Sequence, residues 1–107
     1  MPKSWTELKT QRLDAMSVDE RAEYDRAYAA AALAAEVGGR VREARETAGL
    51  SQRELARRMG TSQAAVDRLE AGGVGATLTT LQRVASALGL EVNVELRQLS
   101  GAPAPRQ

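Results

Sequence analysis

The sequence contains no cysteine and no histidine. Disulfides, thiol catalysis and the cysteine–histidine zinc sites are therefore excluded, as is imidazole acid–base chemistry. There is no phenylalanine, and aromatic residues make up 3% of the chain. So few large rings disfavour a β-sandwich and suit helices packed through small side chains. No apolar run reaches the ~18 residues of a membrane helix. The start, MPKSWTELK, lacks the apolar stretch of a secretory signal. The expectation is a cytoplasmic protein without a membrane partner. Excess charge is missing too: the net is +1. That is a weak electrostatic footprint for a nucleic-acid binder. A motif, not bulk charge, has to carry any such reading. No metal cluster, nucleophile–base pair or phosphate loop is visible, so neither an enzyme nor a cofactor is expected.

What is present is helical patterning in 107 residues, enough for one small domain. The organising stretch is 51–72, SQRELARRMGTSQAAVDRLEAG. Ser51 and Glu54 form a capping box. Leu55, Ala56 and Met59 recur at helical spacing. Gly60 supplies a turn, and Thr61 or Ser62 caps a second helix whose inner face is Ala65, Val66 and Leu69. Gly72 ends it. Two short helices around a glycine read as a helix-turn-helix.

The flanks extend this unit. Ser4 with Glu7 predicts a short helix to about Leu13. Ser17 with Glu20 opens an alanine-rich helix to about Val37, with Tyr24 and Tyr28 one turn apart on one face. Trp5, the only tryptophan, either packs on the domain or anchors a partner. Gly38 and Gly39 predict a kink or short break, after which Val41, Ala44 and Ala48 resume an apolar face. Thr77 caps a further helix with Leu78, Leu81, Val84, Ala85 and Leu88 on one face. In LEVNVELR, Leu90, Val92, Val94 and Leu96 alternate with polar residues, which predicts a strand. A lone strand leaves its backbone unpaired. It pairs with the same strand of a second copy, pairs with a partner's sheet edge, or lies along the domain as a tail. The segment SGAPAPRQ reads as disordered.

On the second helix of the motif, Gln63, Ala64, Asp67 and Arg68 lie opposite the inner face at 100° per residue. Gln suits adenine, Arg suits guanine, and Ala64 can approach a thymine methyl.

Residues 40–90 closely resemble the Xre/Cro-C1 family of helix-turn-helix regulators. The resemblance rests on AGLSQRELARRMGTSQAAVDRLEAG followed by TLTTLQRVASALGLEV. It implies a mainly α chain with a five-helix, lambda-repressor-like domain, preceded by a helical extension and followed by one C-terminal β-strand. The implied divisions are 1–37 (extension), 38–89 (helix-turn-helix domain), 90–98 (strand) and 99–107 (disordered tail). By the resemblance, Gln63, Ala64, Asp67 and Arg68 meet bases of double-stranded operator DNA. Gln52, Ser62, Arg42 and Gly73 meet phosphates, Ser62 alternatively capping its helix. Arg45 and Glu70 form a structural ion pair. Asp67 departs from the small polar residue common in the family, which unsettles the operator preference.

The extension and the strand resemble antitoxins of the HigA type, which repress their own operon and bind a RelE/HigB-like ribonuclease toxin. On that resemblance Trp5, Leu8, Tyr24 and Tyr28 are the toxin-binding candidates, and Leu90, Val92, Val94 and Leu96 form a homodimer strand. The alternatives are a stand-alone Xre-type regulator, or an interaction adaptor that does not bind DNA.

Overall fold

A computed structural model describes residues 4–73 and 76–99. Five helices are formed: α1 (Trp5–Asp14), α2 (Val18–Thr47), α3 (Gln52–Met59), α4 (Gln63–Glu70) and α5 (Leu78–Leu88). Each begins on a hydroxyl. Ser4, Ser17, Ser51, Ser62 and Thr77 all accept a hydrogen bond from the amide three residues on. Those bonds satisfy donors that a helix N-terminus would otherwise leave orphaned. Caps are local, which is why these starts were legible in the sequence.

The core lies between the second half of α2 and helices α3, α4 and α5. Val41, Leu55, Ala56, Val66, Leu69 and Val84 are buried together, with Met59, Leu81 and Leu88 packed around them. The chain is mainly helical with five helices, as expected, and the core is built by the last four of them. The remaining helix, α1, belongs to the N-terminal extension and buries none of its residues. Trp5 is 69% exposed, so the reading in which it packs on the domain does not hold. The extension has its own local ties. Lys9 Nζ lies 5.1 Å from the centre of the Tyr28 ring, and Tyr24 stacks on Tyr28.

Three expectations are corrected. First, α2 is one helix of 30 residues with no break at Gly38 and Gly39. Gly38 is instead the point where α4 touches α2. A Cβ there would lie 2.5 Å from the Leu69 carbonyl oxygen and 2.6 Å from that of Glu70. Gly72 does the same from the other side: with φ +83°, its Cβ would sit 2.9 Å from Ala35 Cα. The two glycines let the end of α4 lie against the α2 backbone.

Second, the expected strand over residues 90–98 is not formed, and no strand occurs among the described residues. The Leu90 amide donates to the Ala85 carbonyl at the end of α5. Beyond it the alternating residues Val94 and Leu96 stand exposed. The physical reason is that a strand needs a neighbour's backbone, and the described residues offer none.

Third, Leu78 is 70% exposed despite its place on the apolar face of α5. It is the first residue of that helix. The tail at 100–107 and part of the loop after Gly73 lie outside the described residues.

The two adjacent glycines of α2 yield opposite expectations. Gly39→Ala raises stability by up to ~1 kcal/mol, since alanine favours the helix and nothing lies within 4 Å of the new Cβ. Gly38→Ala lowers it by about 1–3 kcal/mol, because backbone atoms of α4 must move aside. Urea unfolding of the two variants checks the pair of signs.

Candidate nucleic-acid interface

Helix α4 is eight residues long, or about 12 Å at 1.5 Å per residue, comparable with the width of a B-DNA major groove. Its inner side chains, Val66 and Leu69, are buried, while Gln63, Ala64, Asp67 and Arg68 are all exposed. These four occupy positions i, i+1, i+4 and i+5, one side of a 3.6-residue helix. Gln63 stands at the first position of α4, where the helix can be brought end-on to base edges.

What holds α4 at its angle is a nearly buried charge pair. Arg45 Nε donates to Glu70 Oε2 at 2.7 Å, and Arg45 Nη2 donates to Glu70 Oε1 at 2.9 Å. The third guanidinium nitrogen, Nη1, donates to the Leu50 carbonyl at 2.8 Å. The two side chains are 11% and 4% exposed. Such bidentate pairing is the strong form of a charged hydrogen bond. Gln52 on α3 adds a donor to Glu70 Oε1 at 3.2 Å. One carboxylate at the end of α4 is therefore gripped from α2 and α3 together. Burial pushes the Glu70 carboxyl up. The hydrogen bonds from Arg45 and Gln52, with the charges of Arg45 and Arg42, outweigh it and leave the group below the usual carboxylate range. The hydrogen bond to Glu70 raises Arg45 in turn.

The residues assigned to phosphate by resemblance occupy varied settings. Ser62 caps α4, accepting from the Ala65 amide at 3.1 Å. The Gln52 amide group donates to Asp67 Oδ1 at 3.3 Å as well as to Glu70. Its side-chain donors are thus directed at carboxylates, while its backbone N–H stands at the start of α3. Arg42 is exposed and pairs with Glu46 at 3.0 Å along α2. The Gly73 amide donates to the Arg68 carbonyl at 2.8 Å and so closes the end of α4.

The exposed charges sort into two sets. Arg57 and Arg58 both pair with Glu54, whose carboxyl is held down to about 2, first by the Arg57 hydrogen bond. Arg40 pairs with Glu36. Among the described residues of the domain, Arg53, Arg68 and Arg83 have no carboxylate partner. Arg83 lies within the stretch TLTTLQRVASALGLEV, but the sequence alone assigned it no role. The only signal was an arginine on the outward face of α5, next to a buried Val84.

An exposed helix whose orientation is locked from below, within a bundle of this kind, defines a helix-turn-helix DNA-binding domain. Residues 41–94 match the helix-turn-helix family model HTH_3, of Xre-like regulators. The chain belongs to that family. It is similar to the restriction-modification controller protein C.AhdI from Aeromonas hydrophila, a crystal structure with 34% sequence identity and a TM-score of 0.55. The likeness covers 57% of this chain and 88% of that one. None of the curated proteins gives a match. The family and the structural likeness support a DNA-binding transcriptional regulator. Residues 1–40 lie outside the family match. No helix among the described residues is long and apolar enough to cross a membrane.

Proposed function

We propose that this chain is a sequence-specific repressor that binds operator DNA as a homodimer. The observation that carries the reading is the exposed row Gln63, Ala64, Asp67 and Arg68 on a helix anchored by Arg45 and Glu70. In this reading Gln63 and Arg68 pair with base edges, Ala64 permits close approach, and Asp67 accepts from cytosine. Phosphate contacts come from the start of α3 at Gln52, from Ser62, and more weakly from Arg42 and Gly73. One copy with a net charge of +1 has little electrostatic affinity. A second copy doubles the contacts. Residues 90–96 supply the means, because Leu90, Val94 and Leu96 are exposed and the backbone that carries them lacks a partner strand. Two recognition helices one DNA turn apart then read a palindrome.

A second layer concerns the extension. Trp5, Leu8 and Tyr28 stand exposed outside the matched domain, with Tyr24 stacked beside them. That surface supports an antitoxin reading of the HigA type, in which α1 and the first half of α2 bind a RelE/HigB-like toxin. The similar controller protein supports transcription control without a toxin. Co-purification with the product of the neighbouring gene decides between them. Trp5→Ala with Tyr28→Ala is expected to abolish such a complex and to spare DNA binding.

The central test is titration of a duplex carrying the chain's own promoter across a salt series. Binding that weakens log-linearly with salt, and that exceeds binding to an arbitrary duplex, is expected. Absence of binding even at low salt would overturn the repressor and leave the adaptor reading.

A further inference from the structure

The placement of Arg83 extends the interface beyond the helix-turn-helix. A cleft of about 250 Å3 opens between the α3–α4 turn, α4 and α5. Its apolar lining is Met59, Ala65, Val66 and Leu69, and its polar lining is Thr61, Arg68, Thr80 and Arg83. No carboxylate is among the lining residues. The contrast with the rest of the domain is sharp. Arg40, Arg42, Arg57 and Arg58 are each matched to a glutamate, yet the two arginines of this cleft have no such match among the described residues. Two guanidinium groups lining one cleft create a local positive potential that an anion would neutralise.

We propose that this cleft binds one phosphate of the DNA backbone, with Arg83 as its charged donor, the Thr61 and Thr80 hydroxyls as neutral ones, and Arg68, which reads a base, adding to the positive potential. The proposal rests on α4 being the recognition helix. Arg68 belongs both to the exposed row of α4 and to the cleft, so the cleft is continuous with the face that meets the groove. A helix lying in a major groove has backbone phosphates along its flanks. Guanidinium groups suit a phosphate because their planar fork can donate two parallel hydrogen bonds to its oxygens. Thr77 and Thr80 hydroxyls are already joined at 2.9 Å, which fixes the Thr80 oxygen at the start of α5. Arg83 lies three residues further on, on the same side of that helix.

The test uses the full chain with two duplexes, its own promoter and an arbitrary sequence. Arg83→Ala is expected to weaken binding to both by a similar factor and to reduce the slope of log affinity against log salt by about 0.9, the loss of one phosphate contact. Arg83→Gln, which keeps most of the stem, is expected to do the same. Arg26→Ala removes an equal charge from the extension and is expected to leave slope and affinity unchanged. Thermal melting verifies that each variant is folded. An unchanged slope for both Arg83 variants overturns the proposal. An equal loss for Arg26→Ala overturns it in favour of diffuse charge. Loss confined to the promoter duplex overturns it in favour of base reading by Arg83. If inorganic phosphate raises the wild-type melting temperature at constant ionic strength, but not that of Arg83→Ala, and the DNA slope is unchanged, the cleft serves a free anion and the DNA assignment falls. Failure of the wild-type chain to bind either duplex is a separate result that removes the regulator reading itself.

Discussion

Glu70→Ala is expected to cost about 3–5 kcal/mol of folding stability, because it strands the nearly buried Arg45 guanidinium without its counter-charge. Arg45→Ala is expected to cost a similar amount by stranding the carboxylate. The double variant then costs less than the sum of the two, since neither charge is left alone. The loss is large against the ~5–15 kcal/mol stability of an ordinary domain. Urea unfolding of the three variants measures it. The same pair sets an acid limit. The Glu70 carboxyl is lower in the folded protein than its ordinary ~4.3. A depressed carboxylate contributes stability that is present above the unfolded value and is lost as pH falls through the folded value. Wild-type stability is therefore expected to decline from about pH 4 downward. Glu70→Gln removes that part of the decline while keeping the side chain's shape. Glu54, held to about 2, also loses its charge on acidification, but as a solvent-exposed group with surface partners it has little weight. Unfolding curves from pH 7 down to about pH 2 for wild type and Glu70→Gln separate the contributions.

Gln63→Ala is expected to reduce the preference for the promoter over an arbitrary duplex by about 1–3 kcal/mol, or roughly 5–150-fold, by removing one bidentate base contact. Gln63 is exposed at the first residue of α4, so folding and the salt slope stay as in wild type. Asp67→Ala has the opposite character. It removes a carboxylate from the groove-facing row and is expected to strengthen binding to the arbitrary duplex, lowering discrimination through the denominator. Equilibrium titrations of both duplexes at one salt concentration measure the two ratios. If Gln63→Ala instead weakened both duplexes equally, the side chain would be contacting phosphate and the recognition face would need redrawing.

The two sets of variants touch different links of one chain of causes. Glu70 orients α4 through α2 and α3, whereas Gln63 acts where α4 meets DNA. A loss of stability without a loss of discrimination in the surviving folded fraction marks the first kind. The reverse marks the second. The Gly38 contact belongs with the first, because it sets how near the end of α4 comes to α2.

Much of this protein was legible in short windows of sequence. The five helix starts follow from hydroxyl caps, and the inner residues Leu55, Ala56, Val66, Leu69 and Val84 follow from helical period, since both depend on neighbours within a turn or two. The absence of cysteine and histidine settled which site chemistries were excluded. Tertiary structure decided what depends on residues far apart in the chain. Helical propensity reads Gly38 as a weak point in α2, but packing makes it a contact point because the carbonyls of Leu69 and Glu70 come close to it. Period-two alternation over residues 90–96 predicts a strand, but the described residues form none there, because alternation is local whereas a strand also needs a neighbouring backbone. Gln52 was assigned to phosphate, and only the approach of α3 to α4 turned its amide toward Asp67 and Glu70. Arg83 sits inside the TLTTLQRVASALGLEV stretch, yet nothing local to it marks a role. Folding places α5 across a cleft from α4, leaving two arginines on that cleft with no acid lining it.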